Sequence, residues 1–319
     1  MTGKHRVIPI FIPQKACPYR CTYCNQFAIA GQNRIPTPSE VEQIIEQHLS
    51  TIPQEYSKRI AFFGGSFTGM SIAEQNRYLD VAYPYVQSGL VDSIQLSTRP
   101  DYITPEILEN LKLHGVSLIE LGAQSLDDAV LKTVNRGHTV QQVKEASELI
   151  RQYGFDLGLQ MMIGLPGDSK ELALRTARQI ADFGACCTRI YPTLVVANTP
   201  LTKEYQEGRY KPLSLEDAID WCKDLYHFFQ EKNITVLRMG LHPSEGLLSG
   251  TDYLAGPFHV SFKELVLTAI WHDKILNMLH GDANASATIP VPAHEINYAV
   301  GYGRANKIKF PNVTFLVQR

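Results

Sequence analysis

Six times over, a short run of β-branched or apolar residues gives way to a longer stretch of helical period. The predicted strands are Val7–Ile12, Arg59–Phe63, Ser93–Ser97, Ser117–Leu121, Asp156–Met162 and Thr188–Tyr191. The predicted helices between them include Ser39–Thr51, Ile72–Gln87, Thr104–His114, Val140–Tyr153 and Ser169–Phe183. Ser and Thr stand at the helix starts, and Gly115, Gly154 and Gly184 stand where a helix ends in a left-handed residue. Such alternation demands parallel strands joined by right-handed crossovers. A barrel-like (β/α) sheet and an open doubly wound sheet both satisfy it.

Beyond Tyr191 the pattern changes. A Pro- and Thr-containing loop leads to predicted helices near 201–207 and 214–232, a short strand at 235–238, a Gly/Pro/Ser-rich stretch and a helix near 261–280. The expected division therefore falls near residue 233. Residues 1–232 form the α/β core and residues 233–319 a small α+β extension, with 238–262 covering an open side.

The 319 residues carry a formal net charge of −2, which argues against binding nucleic acid by bulk electrostatics. Local basic clusters remain, at Lys4, His5 and Arg6 and at Arg304, Lys307 and Lys309. No apolar run approaches the roughly 18 residues of a membrane helix, and the first residues make too short a run for a signal peptide. A cytoplasmic protein with no membrane partner is expected. In that reducing setting clustered cysteines serve metals or catalysis before disulfides. Cys186, Cys187 and Cys222 lie apart and read as buried small hydrophobes.

Every unusual polar motif follows a predicted strand, where parallel α/β sheets place their ligands. The cysteines Cys17, Cys21 and Cys24 follow the first strand. "GGSFTG" follows the second, "STRPD" the third, "GAQS" the fourth, "GLPGD" the fifth and "YPTLV" the sixth. The spacing C-x3-C-x2-C has no nearby fourth ligand. Three thiolates suit a [4Fe–4S] cube with one iron open, since such clusters usually take four cysteines. Structural zinc usually takes four ligands in close pairs. A distant fourth ligand, His138 or His242, keeps zinc open, and a purely electron-carrying cluster is the other alternative.

"CPYRCTYC" resembles the signature of the radical S-adenosylmethionine (SAM) superfamily, and the resemblance runs from about residue 7 to 240. Within it, "ELGAQSLDDAVLKTVNRGHT" and "MMIGLPG" look most like the radical SAM half of the Elongator catalytic subunit and its bacterial relatives. The resemblance implies a partial (β/α)6 TIM-like barrel. It further implies that Cys17, Cys21 and Cys24 hold the cluster and that Tyr23 packs beside it and the adenine. Gly64 and Gly65 would approach the methionine amino group, where a Cβ would intrude. Gln124 and Arg136 resemble a SAM-contacting pair of the coproporphyrinogen dehydrogenases, and Gly164 would begin the turn beneath the adenine. Tyr191 reads equally as a packing residue or a substrate contact. No residue is assigned to catalysis.

Two departures stand out. Ser97 replaces the glutamate usual before "TRPD", and no acetyl-CoA-binding domain follows in this chain, so acetyltransferase activity is not carried over. The function implied is reductive cleavage of SAM to a 5′-deoxyadenosyl radical that abstracts hydrogen from a substrate, with tRNA as the leading candidate. A one-electron reductant of flavodoxin or ferredoxin type is the implied partner. The alternatives are radical chemistry on a small metabolite or tetrapyrrole, and a non-catalytic RNA- or partner-binding protein that retains the cluster.

Overall fold

The computed structural model describes residues 5–13, 17, 21–31 and 34–318. Its centre is a curled, seven-stranded parallel sheet. Six strands follow in chain order: β1 (His5–Ile12), β2 (Ser57–Gly64), β3 (Ser93–Thr98), β4 (Val116–Gln124), β5 (Asp156–Ile163) and β6 (Cys187–Pro192). The two-residue β7 (Val195–Val196) stands apart, and β8 (Thr235–Met239) completes the sheet beside β6. Every neighbouring pair is parallel. Helices cover the convex face and make this a half-barrel. Ile8, Ile10, Ile60, Phe62, Ile94 and Leu96 alternate along three strands and bury that face completely or nearly so.

The helices begin where side chains satisfy free amides. Thr37, Ser71 and Thr139 each close a reciprocal capping box with the third residue onward. The predicted turn glycines, Gly115, Gly154 and Gly184, have φ of 70°, 84° and 79°. The fourth strand runs three residues further than predicted, through Gln124, because its polar end continues past a register shift between Gly122 and Gln124.

The strand β8 lies beyond residue 233 yet pairs with β6, so the sheet continues past the expected division. The chain then crosses the carboxyl rim. Ser244 Oγ donates to Ala28 O at 2.9 Å, and β9 (Tyr253–Ala255) pairs antiparallel with β7. Helix Phe262–Met278 returns to the core, where Phe262, Val266 and Ile270 join Leu225 and Phe229. A separate parallel pair, β10 (Ala287–Pro292) with β11 (Val313–Gln318), ends the chain.

The three remaining cysteines divide. Cys187 and Cys222 are buried, but Cys186 is exposed, which corrects its reading as a buried hydrophobe. Successive residues entering a strand point opposite ways, so only one of an adjacent pair can face the interior.

Candidate functional site

The concave face encloses a cavity of about 1370 Å³, reaching from the carboxyl rim down to His5 and Arg59. Tyr23, Gly64, Gly65, Gln124, Arg136 and all three clustered cysteines line it. Residues far apart in the chain are thus brought to one wall.

The cysteines sit in an electrostatic environment of their own making. Burial pushes the Cys24 thiol up to about 12, and the neighbouring Cys21 and Cys17 push the same way. Arg136 Nη1 stands 3.7 Å from Cys21 Sγ, and Gln26 Nε2 4.0 Å from Cys17 Sγ. Tyr23 is buried beside Cys21 in a cluster that includes Met162 and Val195. Burial and the Cys21 sulfur raise its phenol well above the usual range.

Among the described residues, no group of three His, Cys, Asp or Glu is gathered to hold a metal ion. The donor chemistry still fits an iron–sulfur cluster. It consists of three sulfur donors, with Cys21 and Cys17 opposing ionisation of Cys24 and the Arg136 guanidinium favouring it, and soft thiolate donors select such clusters.

At the β4 end, two side chains depend on one missing Cβ. Arg136 Nη2 donates to Gly122 O at 2.7 Å, and Gln160 Nε2 donates to Gln124 Oε1 at 3.0 Å. A Cβ at Gly122 would come within 2.8 Å of Gln124 Nε2 and 2.9 Å of Arg136 Nη2. Gln124 itself has φ 68°, a conformation costing a non-glycine residue on the order of 1 kcal/mol. Strain of this kind collects at binding sites.

Gly64 lines the cavity and also makes way for the protein's own backbone. A Cβ on Gly64 (φ 109°) would lie 2.9 Å from the backbone of Ile12, and Gly65 N donates to Ile12 O at 2.7 Å. Gly164 does not line the cavity. Its amide donates to Asp168 Oδ2 at 2.9 Å, and its carbonyl accepts from Tyr210 OH at 2.7 Å. Burial raises the Asp168 carboxyl to about 6.

Deeper in the cavity lies a polar ladder that the motifs do not announce. Arg189 Nε donates to Glu120 Oε2 at 2.5 Å, Gln95 Nε2 to Glu120 Oε1 at 3.1 Å, and Arg59 Nη1 to Gln95 Oε1 at 3.4 Å. The Arg189–Glu120 pair spans β6 to β4 across β5, where Gly158 leaves room. A Cβ there would meet Glu120 Cγ at 2.9 Å. Burial opposes the charge on Arg189, but Glu120 and Tyr191 outweigh it and raise its pKa. The guanidinium also lies 4.9 Å from the Phe63 ring centroid.

Ser97 is in register with Glu120, but that carboxylate is committed to Arg189 and Gln95. One signal was available in sequence. Strands of a parallel sheet buried on both faces read as continuous apolar runs. Arg59, Gln95, Glu120, Gln160 and Arg189 interrupt five of them. Of the basic clusters, Lys4 lies outside the described residues, and Lys307 Nζ is committed to Val313 O at 2.6 Å.

The tRNA uridine(34) acetyltransferase of Dehalococcoides mccartyi is 28% identical over 242 residues, 65% of this chain and 53% of that one. Elongator complex protein 3 of Saccharomyces cerevisiae is 34% identical over 147 residues, 44% of this chain and 26% of that one. This chain thus spans between about a quarter and a half of these relatives' length. The archaeal Methanocaldococcus infernus Elp3 with an N-terminal deletion superposes with a TM-score of 0.64 at 20% identity, covering 88% of this chain and 65% of that one. It shares the fold. The Radical_SAM C-terminal domain model matches residues 186–271, and the radical SAM superfamily model matches residues 11–180. That second match covers more than half of the 319 residues, so the chain belongs to the radical SAM superfamily and is a radical SAM enzyme.

Proposed function

We propose that this enzyme binds a [4Fe–4S] cluster on Cys17, Cys21 and Cys24 with SAM against its wall, and modifies tRNA. The supporting observation is that the cysteine loop, Gln124 and Arg136 share the rim of one cavity. Held by Cys17, Cys21 and Cys24, the cluster would supply the electron for reductive cleavage of SAM, and SAM the radical chemistry that removes hydrogen from a substrate carbon.

The chain's own residues supply orientation and exclusion of water. Arg136 presents a fixed planar fork suited to the methionine carboxylate, held by Gly122 O. Gln124 is aimed by Gln160. Tyr23, Met162, Leu194 and Val196 make the neighbouring wall apolar. Asp168 and Tyr210 clamp the two polar groups of Gly164, fixing the turn that follows β5. The segment from β8 to β9 roofs the rim through Ser244 and the β7–β9 ladder. The electron would come from a flavodoxin- or ferredoxin-type donor in the cytoplasm.

The tRNA assignment rests on the Elongator and tRNA acetyltransferase relatives. The test is 5′-deoxyadenosine release by anaerobically reconstituted protein with SAM and dithionite, with and without total tRNA. Release stimulated by tRNA and reduced to background by Cys24→Ala is expected. Release indifferent to tRNA would overturn the substrate, and a protein that binds no iron would overturn the cluster.

A further inference from the structure

We propose that Asn25 is a positioning residue that ties the cysteine loop to the roof of the cavity, so that holding a cluster and closing the roof reinforce each other. This rests on the reading above in taking Cys24 as a cluster ligand. Asn25 follows Cys24 directly, lines the cavity and uses both ends of its amide. Its Oδ1 accepts from Ala28 N at 3.3 Å and caps the helix Gln26–Ala30. Its Nδ2 donates at 3.1 Å to Ala197 O, just past β7 and 172 residues away. Aspartate caps a helix as well but, ionised, has no hydrogen to donate.

The tie closes into a ring. Ala197 N donates to Asp252 O at 3.0 Å, and Asp252 N donates to Gly246 O at 3.0 Å, which carries the connection into the helix Glu245–Ser249. Ser244 caps that helix, its Oγ accepting from Leu247 N at 3.4 Å and donating to Ala28 O at 2.9 Å. Ala28 is also where the Asn25 cap lands, so the circuit is complete. Its interior is apolar, with Ala28, Leu194, Val196 and Leu247 buried together. Gly31 ends the first helix at φ 64°, and a Cβ there would lie 3.2 Å from Ser244 Cβ. Each of the two helices has five residues, too few to persist without tertiary packing.

A cluster held by Cys24 fixes the residue next to this ring and so lowers the freedom that Gln26–Ala30 surrenders on packing. Ser244 and Leu247 pass that gain to the helix Glu245–Ser249. The strand β9 has an attachment of its own, Val195 with Ala255 and Val196 with Tyr253, and depends less on the cysteine loop. Coupling of this kind is reciprocal. A roof that closes more readily over a bound cluster also holds that cluster more tightly. The chamber around the substrate is thereby completed only in an enzyme that carries its cluster.

The test is hydrogen exchange, read by mass spectrometry on the intact chain before and after anaerobic reconstitution, with iron counted in each sample. Once iron is bound, the peptide spanning 245–250 should exchange roughly tenfold more slowly, while β9 and the helix Phe262–Met278 change little. Asn25→Asp keeps the cap but loses the donor, and at equal iron content it should respond by less than about threefold. Ser244→Ala, on the far side of the ring, should respond as weakly. It should also yield its iron to bathophenanthroline at an about fivefold lower chelator concentration. Thermal melts confirm that each variant folds, and Ser244→Ala carries the test if Asn25→Asp binds no iron. A wild-type chain that binds iron without slower exchange at 245–250 overturns the proposal, as does a full response in either variant. A wild-type chain that binds no iron overturns the cluster reading and this inference with it, and the iron count tells the two failures apart.

Discussion

At the residue scale, the site depends on backbone positions that a side chain would spoil. The Gly64→Ala variant combines a positive φ with a 2.9 Å approach to Ile12. It should lose more than about 1 kcal/mol in urea unfolding, and an unchanged midpoint would refute the packing argument. Gln124→Gly relieves φ 68° but loses the bond to Gln160. These terms are each on the order of 1 kcal/mol and oppose one another. Stability should hold while SAM affinity falls, as read by equilibrium dialysis; unchanged affinity would remove Gln124 from the binding site. His138 is buried, and burial, then Arg136 and Arg99, lower its pKa to about 2. Between that value and about 6.5 the folded chain binds fewer protons than the unfolded one. Its stabilising contribution is therefore full above pH 6.5 and lost on acidification, by up to about 1.4 kcal/mol per pH unit. His138→Gln should flatten the profile between pH 7 and 5, and parallel profiles would refute the assignment. The cysteines and the "GGSFTG" glycines were legible in sequence because spacing and turn chemistry are local. That Gly64 makes way for Ile12 was not, because a contact across two strands leaves no trace in either alone.

At the scale of the element, the strands and helices were legible because periods of 2 and 3.6 are written in neighbouring residues. What faces the lumen was not. Arg189, Glu120 and Gln95 look like surface residues until β4, β5 and β6 are set side by side. The Glu120–Arg189 pair is buried, and removing one partner leaves the other uncompensated. Glu120→Gln should therefore cost roughly 3 kcal/mol or more in chemical denaturation. A cost below 1 kcal/mol would mean that water already reaches the pair. The end of β4 was misjudged because its "GAQ" reads as a turn, whereas the chain stays in the sheet through a bulge.

For the whole molecule, alternation gave a parallel α/β sheet and left its closure open between a barrel-like and a doubly wound form; the resemblance implied the partial barrel, and the place of β8 required the sheet itself. A chain ending at residue 232 would lack that strand and the helix Phe262–Met278 that packs on Leu225 and Phe229. It should melt without a cooperative transition by circular dichroism. A cooperative melt would instead support an independent unit ending there. The two edges of the sheet are bridged by a ring contact, Phe11 on β1 against His242 beyond β8, with centroids 6.4 Å apart and planes 28° apart, and by the Ser244–Ala28 hydrogen bond. An aromatic pair of this kind contributes on the order of 1 kcal/mol, less than two units of thermal energy. Undoing that contact alone would leave roughly one molecule in six unlatched at any instant. Widening the gap to admit a guest would have to break the Ser244–Ala28 bond as well as this ring contact.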